Sequence, residues 1–347
     1  DLMATRYLAL YRRVLGAPEV ITTPATAPAP PPSPPPPLRV IGVSNPNFAG
    51  VTEAVRAWLQ EGASWLDGNS VEWPGIILRD QPEVVLMGGD PGYIALAGDL
   101  RQRGYRGVIA ASWHATHGFT AFAPQDGELL QHWEDALSRR IIDYLAFVNP
   151  GAATYRGWPR EGILWLPNRV PPAPASYVPK MGGGLNIGVF GTNYPWRNQP
   201  QAVLAALSAG GVVHVNKLQG GRRWLPEQYR DRVVEHGFLP HDKFLPLLGS
   251  MRVNLQLSYT ESFGRTYCES WRWGVPCVAS PAVRPLAGAP LTASRPDDLR
   301  EIVALIREAA EMENYVIDEV NARFDGLARE HDAAIASAWE TMRRRRG

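Results

Sequence analysis

The stretch "ESFGRTYCE" (261–269) places two carboxylates, Glu261 and Glu269, either side of seven residues, with Gly264 between them and Gly274 and Pro276 beyond. It follows "MRVNLQLS" (251–258), an apolar run of strand length, and precedes a helical pattern over 264–273. At such a helix start the amides of Phe263, Gly264 and Arg265 lack intrahelical acceptors. Together with the helix dipole they form an anion site, and Gly264 lets a phosphate reach the backbone. A carboxylate cannot ligate a phosphate, so the glutamates need another task. Each can accept hydrogen bonds from vicinal hydroxyls. Two acids flanking a phosphate site suit a sugar on one side and a ribose on the other, which describes a nucleotide sugar. Each acid alone also has a plainer reading. Glu261 fits a carboxylate favoured by the helix dipole, and Glu269 an exposed helix acid.

The order Glu-Ser-Phe-Gly, then Glu269, then "GVPCVAS" (274–280) resembles the signature of glycosyltransferase family 4. The segments "VVEHGFLPHDKFLPLLGSMRVNLQLS" (233–258) and "IGVFGTNYPWRNQPQAVLAAL" (187–207) extend the resemblance over about residues 185–280. The N-terminal half is similar only in overall pattern. The resemblance implies an α/β protein of GT-B fold, with two doubly wound Rossmann-like domains facing across a cleft, and transfer with retention at the anomeric carbon. It implies that Glu261 contacts the donor sugar, Glu269 the ribose, and the amides of Ser262, Phe263 and Gly264 the diphosphate. Of the two basic residues the family sets near the diphosphate, Arg197 matches the second. Thr192 stands where the first is expected, with Lys217, Arg222 and Arg265 as substitutes. No Asp-x-Asp occurs, so no metal and no cofactor beyond the co-substrate is expected.

In "ASWHATHGF" (111–119), His114 and His117 follow a strand, on the face that would line the cleft. The resemblance sets a histidine there near the donor sugar, and His114 fits best. A turn-capping loop histidine is the plain alternative. "SNPNFAG" (44–50) leaves the first strand through what reads as a glycine turn. It resembles the family's N-terminal loop at the diphosphate and acceptor, without the usual double glycine, which implies Asn45, Asn47 and Gly50 on the acceptor side with His117, although a simple strand–helix link serves equally. Five of the 12 tryptophans, Trp73, Trp113, Trp158, Trp196 and Trp224, read as sitting at loop ends. Core anchoring and sugar stacking both suit them.

The elements that must position these residues alternate strand and helix from 38 to 168, break at the Pro- and Gly-rich 169–184, and resume to 280. The organisation expected is a terminal helix over 1–21 from a preceding module, a polyproline spacer over 22–37, an acceptor-side domain over 38–180, a donor-side domain over 181–330, and a helix over 331–347 returning to the first domain. Helices are expected at 50–61, 92–103, 125–139, 197–209, 226–236, 264–273, 296–311 and 313–345. In 347 residues there is room for two cores. The net charge of +1 gives no field for nucleic acid. Cys268 and Cys277 read as reduced thiols. Without a signal peptide or a long apolar run, a cytoplasmic location is expected. The "RRRR" at 343–346 suits a helix C-terminus or contact with anionic lipid at a membrane surface.

The function that follows is metal-independent transfer from a nucleotide-diphosphate sugar to a glycan, lipid-linked or protein acceptor. The alternative is an inactive nucleotide-sugar- or glycan-binding module of a larger protein. A nucleotide-sugar epimerase is a third reading, which predicts altered sugar with no acceptor. A dinucleotide-dependent dehydrogenase finds no Gly-x-Gly-x-x-Gly after a first strand.

Overall fold

The computed structural model describes residues 38–345 apart from 46–48, 60–61, 68–70, 117, 120–121, 154–160, 192–193, 284 and 287. The expected terminal helix and proline spacer, Asn47, His117, Trp158 and Thr192 therefore lie outside the described residues.

The first lobe carries β1 (Val40–Ser44), α1 (Ala49–Trp58), β2 (Ser64–Asp67), α2 (Trp73–Asp80), β3 (Val84–Met87), α3 (Gly92–Gln102), β4 (Val108–Trp113), α4 (Pro124–Ser138), β5 (Tyr144–Phe147), α5 (Pro150–Ala153) and β6 (Ile163–Trp165). Its sheet is parallel in the order β2-β1-β3-β4-β5-β6. The second lobe carries β7 (Asn186–Val189), α6 (Gln199–Ser208), β8 (Val212–Val215), β9 (Val233–Glu235), α7 (His241–Ser250), β10 (Val253–Gln256), α8 (Arg265–Arg272), β11 (Cys277–Ala279) and α9 (Leu299–Glu311). Its sheet is parallel in the order β11-β10-β7-β8-β9. Strands such as "VIGVS" (40–44) and "VVLM" (84–87) are buried at every position, as parallel strands covered on both faces must be.

Two expectations are corrected. Residues 226–236 do not form a helix: a 3₁₀ stretch at Glu227–Arg232 feeds β9. Pro226 opens the stretch, and the β-branched Val233 and Val234 pair with β8. Gly50 is not in a turn but inside the first turn of α1, and nothing stands within 4 Å of where its Cβ would be. β2 and α2 lie in a stretch for which no element was expected. "SWLD" (64–67) is too short and too mixed to carry a period.

No break falls at 331. The last helix, α10 (Asn314–Arg344), is continuous. Near its start Asn321 Nδ2 donates to Trp271 O at 3.1 Å, and Arg272 pairs with Asp325 at 2.7 Å. Further along, the ring of His331 meets Asn168 O through Nδ1, and Trp339 Nε1 donates to Trp58 O at 3.1 Å. Tyr144 Oη donates to Thr341 O. One helix thus spans both lobes, and its Phe324, Ile335 and Trp339 belong to an apolar core continuous between the two sheets. Trp73 and Trp113 are core residues, and Cys268 and Cys277 are buried free thiols. In the arginine run, Arg343 and Arg344 pair with Glu340, and Arg345 with Asp143. Among the described residues no helix is long and apolar enough to cross a membrane.

A buried polar chain ties β7, β8 and β9 together. Asn186 Nδ2 faces the carbonyls of Met181, Gly182 and Gly184, so its Oδ1 must accept from His214 Nε2–H at 3.0 Å. His214 Nδ1 is then the acceptor for His236 Nε2–H at 2.9 Å. Burial, with His236 alongside, pushes His214 down to about 4. Burial also lowers His114, His236 and His331. All four fold as neutral rings with pKa values below the unfolded value of about 6.5. Their contribution to stability is therefore complete above that value and declines as pH falls below it, being lost for His214 and His114 toward about 4. Thermal melts across this window should show a falling Tm. The His214→Leu/His236→Leu variant should show a clearly shallower slope, and an unchanged slope would rule out the pair as its source.

Candidate functional site

Because β10 and β7 are neighbours, the loops leaving their carboxyl ends are neighbours too. This brings Arg197, in a 3₁₀ turn at Pro195–Arg197, onto Glu261. Arg197 Nη1 is ion-paired with Glu261 Oε2 and also reaches Ser258 Oγ at 3.4 Å. The Glu261 side chain is only 7% exposed and the Arg197 side chain 26%. Arg197 Nε is buried and has no partner among the described residues. Gln256 from β10 holds the arrangement. Its Nε2 donates to Glu261 Oε2 at 2.8 Å, and its Oε1 accepts from Tyr267 N in the first turn of α8 at 2.8 Å.

Gly264 caps α8 in the left-handed region, at φ 80° and ψ 52°. A Cβ there would stand 2.5 Å from Val283 Cγ1. Among the described residues the amides of Phe263, Gly264, Arg265 and Thr266 have no acceptor. They remain available to an anion. Gly264→Ala should therefore cost more than about 1 kcal/mol of stability through strain at positive φ and weaken anion binding as the helix start shifts. Denaturant melts and phosphate titration would measure the two effects separately.

Glu269 is buried in α8, its side chain 3% exposed. Its Oε1 meets both His241 Nε2 at 2.8 Å and Arg265 Nε at 2.7 Å. No hydrogen bond within the described residues falls on Oε2. Glu269 is thus not a solvated helix acid. It is a held carboxylate with one oxygen unspent.

Two of the remaining basic candidates are paired with acids. Arg265 is bound to Glu269. Arg222 pairs with Glu235 at 3.0 Å. Lys217, exposed at the end of β8, adds to the positive charge around Glu235, whose carboxyl is held below its usual range chiefly by the Leu218 amide. Ser262 N donates to Glu261 Oε1 at 3.2 Å, and Phe263 packs in the core beside His331.

On the first lobe, β1, β3 and β4 are adjacent, so Asn45, Asp90 and His114 leave the sheet side by side. Asn45 Nδ2 donates to Asp90 Oδ2 at 2.8 Å, and Asp90 Oδ1 accepts from Gly92 N at 2.8 Å. His114 stacks on Trp58 with ring centroids 5.4 Å apart. Burial lowers it to about 4, so it is neutral near pH 7. The Ser112 hydroxyl gives its proton to Met87 O, so His114 Nε2–H must donate to Ser112 Oγ at 3.1 Å. Its Nδ1 is left as an acceptor. The loop carrying His114 touches the second lobe, where Thr116 Oγ1 meets Thr260 Oγ1 at 2.5 Å, one residue before Glu261. Gly118 allows this approach, since a Cβ would lie 2.6 Å from Thr260 Oγ1.

Gln256, His241 and Asp90 are site residues that the sequence reading missed. Gln256 had a signal, because Asn254, Gln256 and Ser258 interrupt an otherwise apolar strand. His241 and Asp90 had none, being single polar residues next to Pro240 and Pro91. Among the described residues no group of three His, Cys, Asp or Glu is placed to hold a metal.

No family model matches the chain, and no curated protein matches it in sequence. Its structure is similar to that of the trehalose-6-phosphate synthase OtsA, at TM-score 0.61 and 13% identity, over 88% of this chain and 99% of that one. An α,α-trehalose-phosphate synthase (UDP-forming) from Burkholderia xenovorans in complex with glucose-6-phosphate is similar at TM-score 0.61 and 12% identity, over 88% and 100%. The lipopolysaccharide outer core galactosyltransferase WaaB is similar at TM-score 0.54 and 16% identity, over 86% and 99%. The fold is GT-B.

Proposed function

We propose that the chain is a glycosyltransferase that takes a sugar from a nucleoside-diphosphate sugar and passes it, with retention and without a metal, to a hydroxyl of an acceptor. The observation that carries this reading is the pair of buried carboxylates flanking the open amides of α8, one paired with Arg197 and the other with an oxygen unspent. A diphosphate at the α8 amides would take Arg197 as its counter-charge, stabilising charge on the leaving group. Glu269 Oε2 would accept from the ribose. Glu261 would orient the sugar, and His114 Nδ1 would accept from one of its hydroxyls. The acceptor oxygen bonds to the anomeric carbon as the bond to the diphosphate breaks. The electron pair of that bond stays on the phosphate oxygen, which receives the acceptor's proton. A similar trehalose-6-phosphate structure from E. coli has been described bound with UDP-2-fluoro glucose, which supports the donor class.

The alternative is a binding module without activity. It draws on the engagement of Arg197 by Glu261 and the commitment of Arg222 and Arg265 to other acids. Calorimetry with UDP, GDP, ADP, CMP and their sugars, with and without EDTA, tests the donor site. One nucleoside diphosphate should bind equally well in EDTA. Binding by none of them would remove the donor-site reading. Binding without transfer or hydrolysis of a labelled sugar, on any acceptor tried, would favour the inactive module.

A further inference from the structure

Beside the Arg197–Glu261 pair lies an aromatic cluster that the donor site does not use. Tyr194 and Trp196 come from the loop after β7, Tyr259 from the loop after β10, and Phe119 and Phe122 from the loop after β4 in the other lobe. Tyr194 stacks on Trp196, with centroids 4.4 Å apart and planes 8° from parallel. Phe119 meets Trp196 edge-on at 5.1 Å, and Phe122 lies along Tyr259 at 6.2 Å and 13°. Tyr259 N donates to Trp196 O at 2.7 Å, locking the two second-lobe loops together. Trp196 thereby becomes the floor of the cluster, and its rim stays open. Tyr194 is 47% exposed, Phe122 43% and Tyr259 43%. Trp196 Nε1 is buried with no partner among the described residues.

The rim continues into a polar concavity. Tyr259 Oη donates to Asp297 Oδ1 at 2.5 Å, Asn198 Nδ2 to Pro296 O at 3.1 Å, and Gln201 Nε2 to Asp297 O at 2.8 Å. The loop holding Asp297 is thus fastened to the turn that carries Arg197. Beside it opens a shallow hollow of about 730 Å³ lined by Arg295, Asp297, Asp298, Leu299 and Arg300. Asp298 is occupied as the N-cap of α9 and by Arg295. With Asp297 Oδ1 taken by Tyr259, Asp297 Oδ2 and Arg300 are left to meet a ligand.

We propose that this surface, the rim of Tyr194, Phe122 and Tyr259 with the hollow at Asp297 and Arg300, binds a pyranose chain as the acceptor of the transfer; the acceptor role rests on the function proposed above. Exposed flat rings suit the C–H faces of pyranoses. Carboxylate and guanidinium groups suit their hydroxyls. An acyl chain would instead call for a deep apolar groove, whereas this hollow is open and lined by four charged residues and one leucine. The surface adjoins the carboxylate assigned to the donor sugar, Tyr259 being two residues from Glu261. A glycan held here would extend away from the reacting centre.

The test is saturation-transfer NMR on the full chain with maltotetraose, cellotetraose and mannotetraose as probes, and decyl phosphate as the apolar comparison. One tetrasaccharide should receive saturation at its ring C–H protons. The Phe122→Ala/Tyr194→Ala variant should lower its affinity about tenfold, the worth of two stacking contacts. Nucleotide affinity, measured in the same samples, should not change. No transfer to any tetrasaccharide overturns the proposal, as does affinity unaltered in the double variant. Displacement of the sugar by decyl phosphate overturns it in favour of an apolar chain. Sugar binding to the rim with no nucleotide binding would leave this subsite standing while removing the donor reading.

Discussion

Replacing Glu269 by glutamine should lower nucleoside-diphosphate affinity roughly thirtyfold and leave pyrophosphate affinity unchanged, taking a hydrogen bond to a charged acceptor as worth about 2 kcal/mol. The reason lies in how the carboxylate is divided. Its Oε1 takes both His241 Nε2 and Arg265 Nε, which fixes the plane of the group. Its Oε2 carries no hydrogen bond within the described residues. A glutamine keeps one oxygen for the two donors but turns an NH₂ toward the ribose, opposing hydroxyl donors with a donor. Arg265 is 36% exposed and stays solvated, so the fold should lose little. Calorimetry with the nucleotide and with pyrophosphate separates the causes. If pyrophosphate binding falls as far as nucleotide binding, the substitution acts through the α8 amides, and the ribose role of Glu269 is wrong.

The parts of this site that sequence reasoning reached are those fixed by the local chain. Gly264 had to be a glycine, because the cap needs positive φ and Val283 leaves no room for a side chain. Among the described residues the alternation of apolar runs with helical patterns placed nine of the eleven strands in order, missing β2 and misreading β9 as part of a helix over 226–236, where short segments carry no period. Partnerships were out of reach, because strand order and not sequence distance decides them. Arg197 lies 64 residues from Glu261, and they meet because β7 and β10 are neighbours. Arg222 was plausible as a base for the diphosphate until β9 brought Glu235 beside it. Taken alone, Glu269 could also be read as an exposed helix acid, because nothing in its own helix announces His241, 28 residues earlier.

Arg197→Met should reduce transfer by about a hundredfold or more, the usual effect of removing a donor that stabilises leaving-group charge. It should also cost about 3 kcal/mol of stability, as when one partner of a buried pair is removed. The second effect follows from Glu261, only 7% exposed, which would keep Gln256 Nε2 and Ser262 N but lose its counter-charge. Adding Glu261→Gln removes the stranded charge, so the double variant should regain most of the lost stability while transfer stays low. Such a non-additive cycle is expected of groups in direct contact. The same pair explains how the site keeps its shape. Arg197 and Glu261 hold each other where the diphosphate and the sugar hydroxyls would later take them up, and Gln256 ties Glu261 to the helix start that would hold the phosphates. The substitution should therefore weaken binding of a nucleoside diphosphate and leave that of the nucleoside alone unchanged. Equal losses for both, measured by calorimetry, would mean that Arg197 serves the fold of the loop and not the diphosphate.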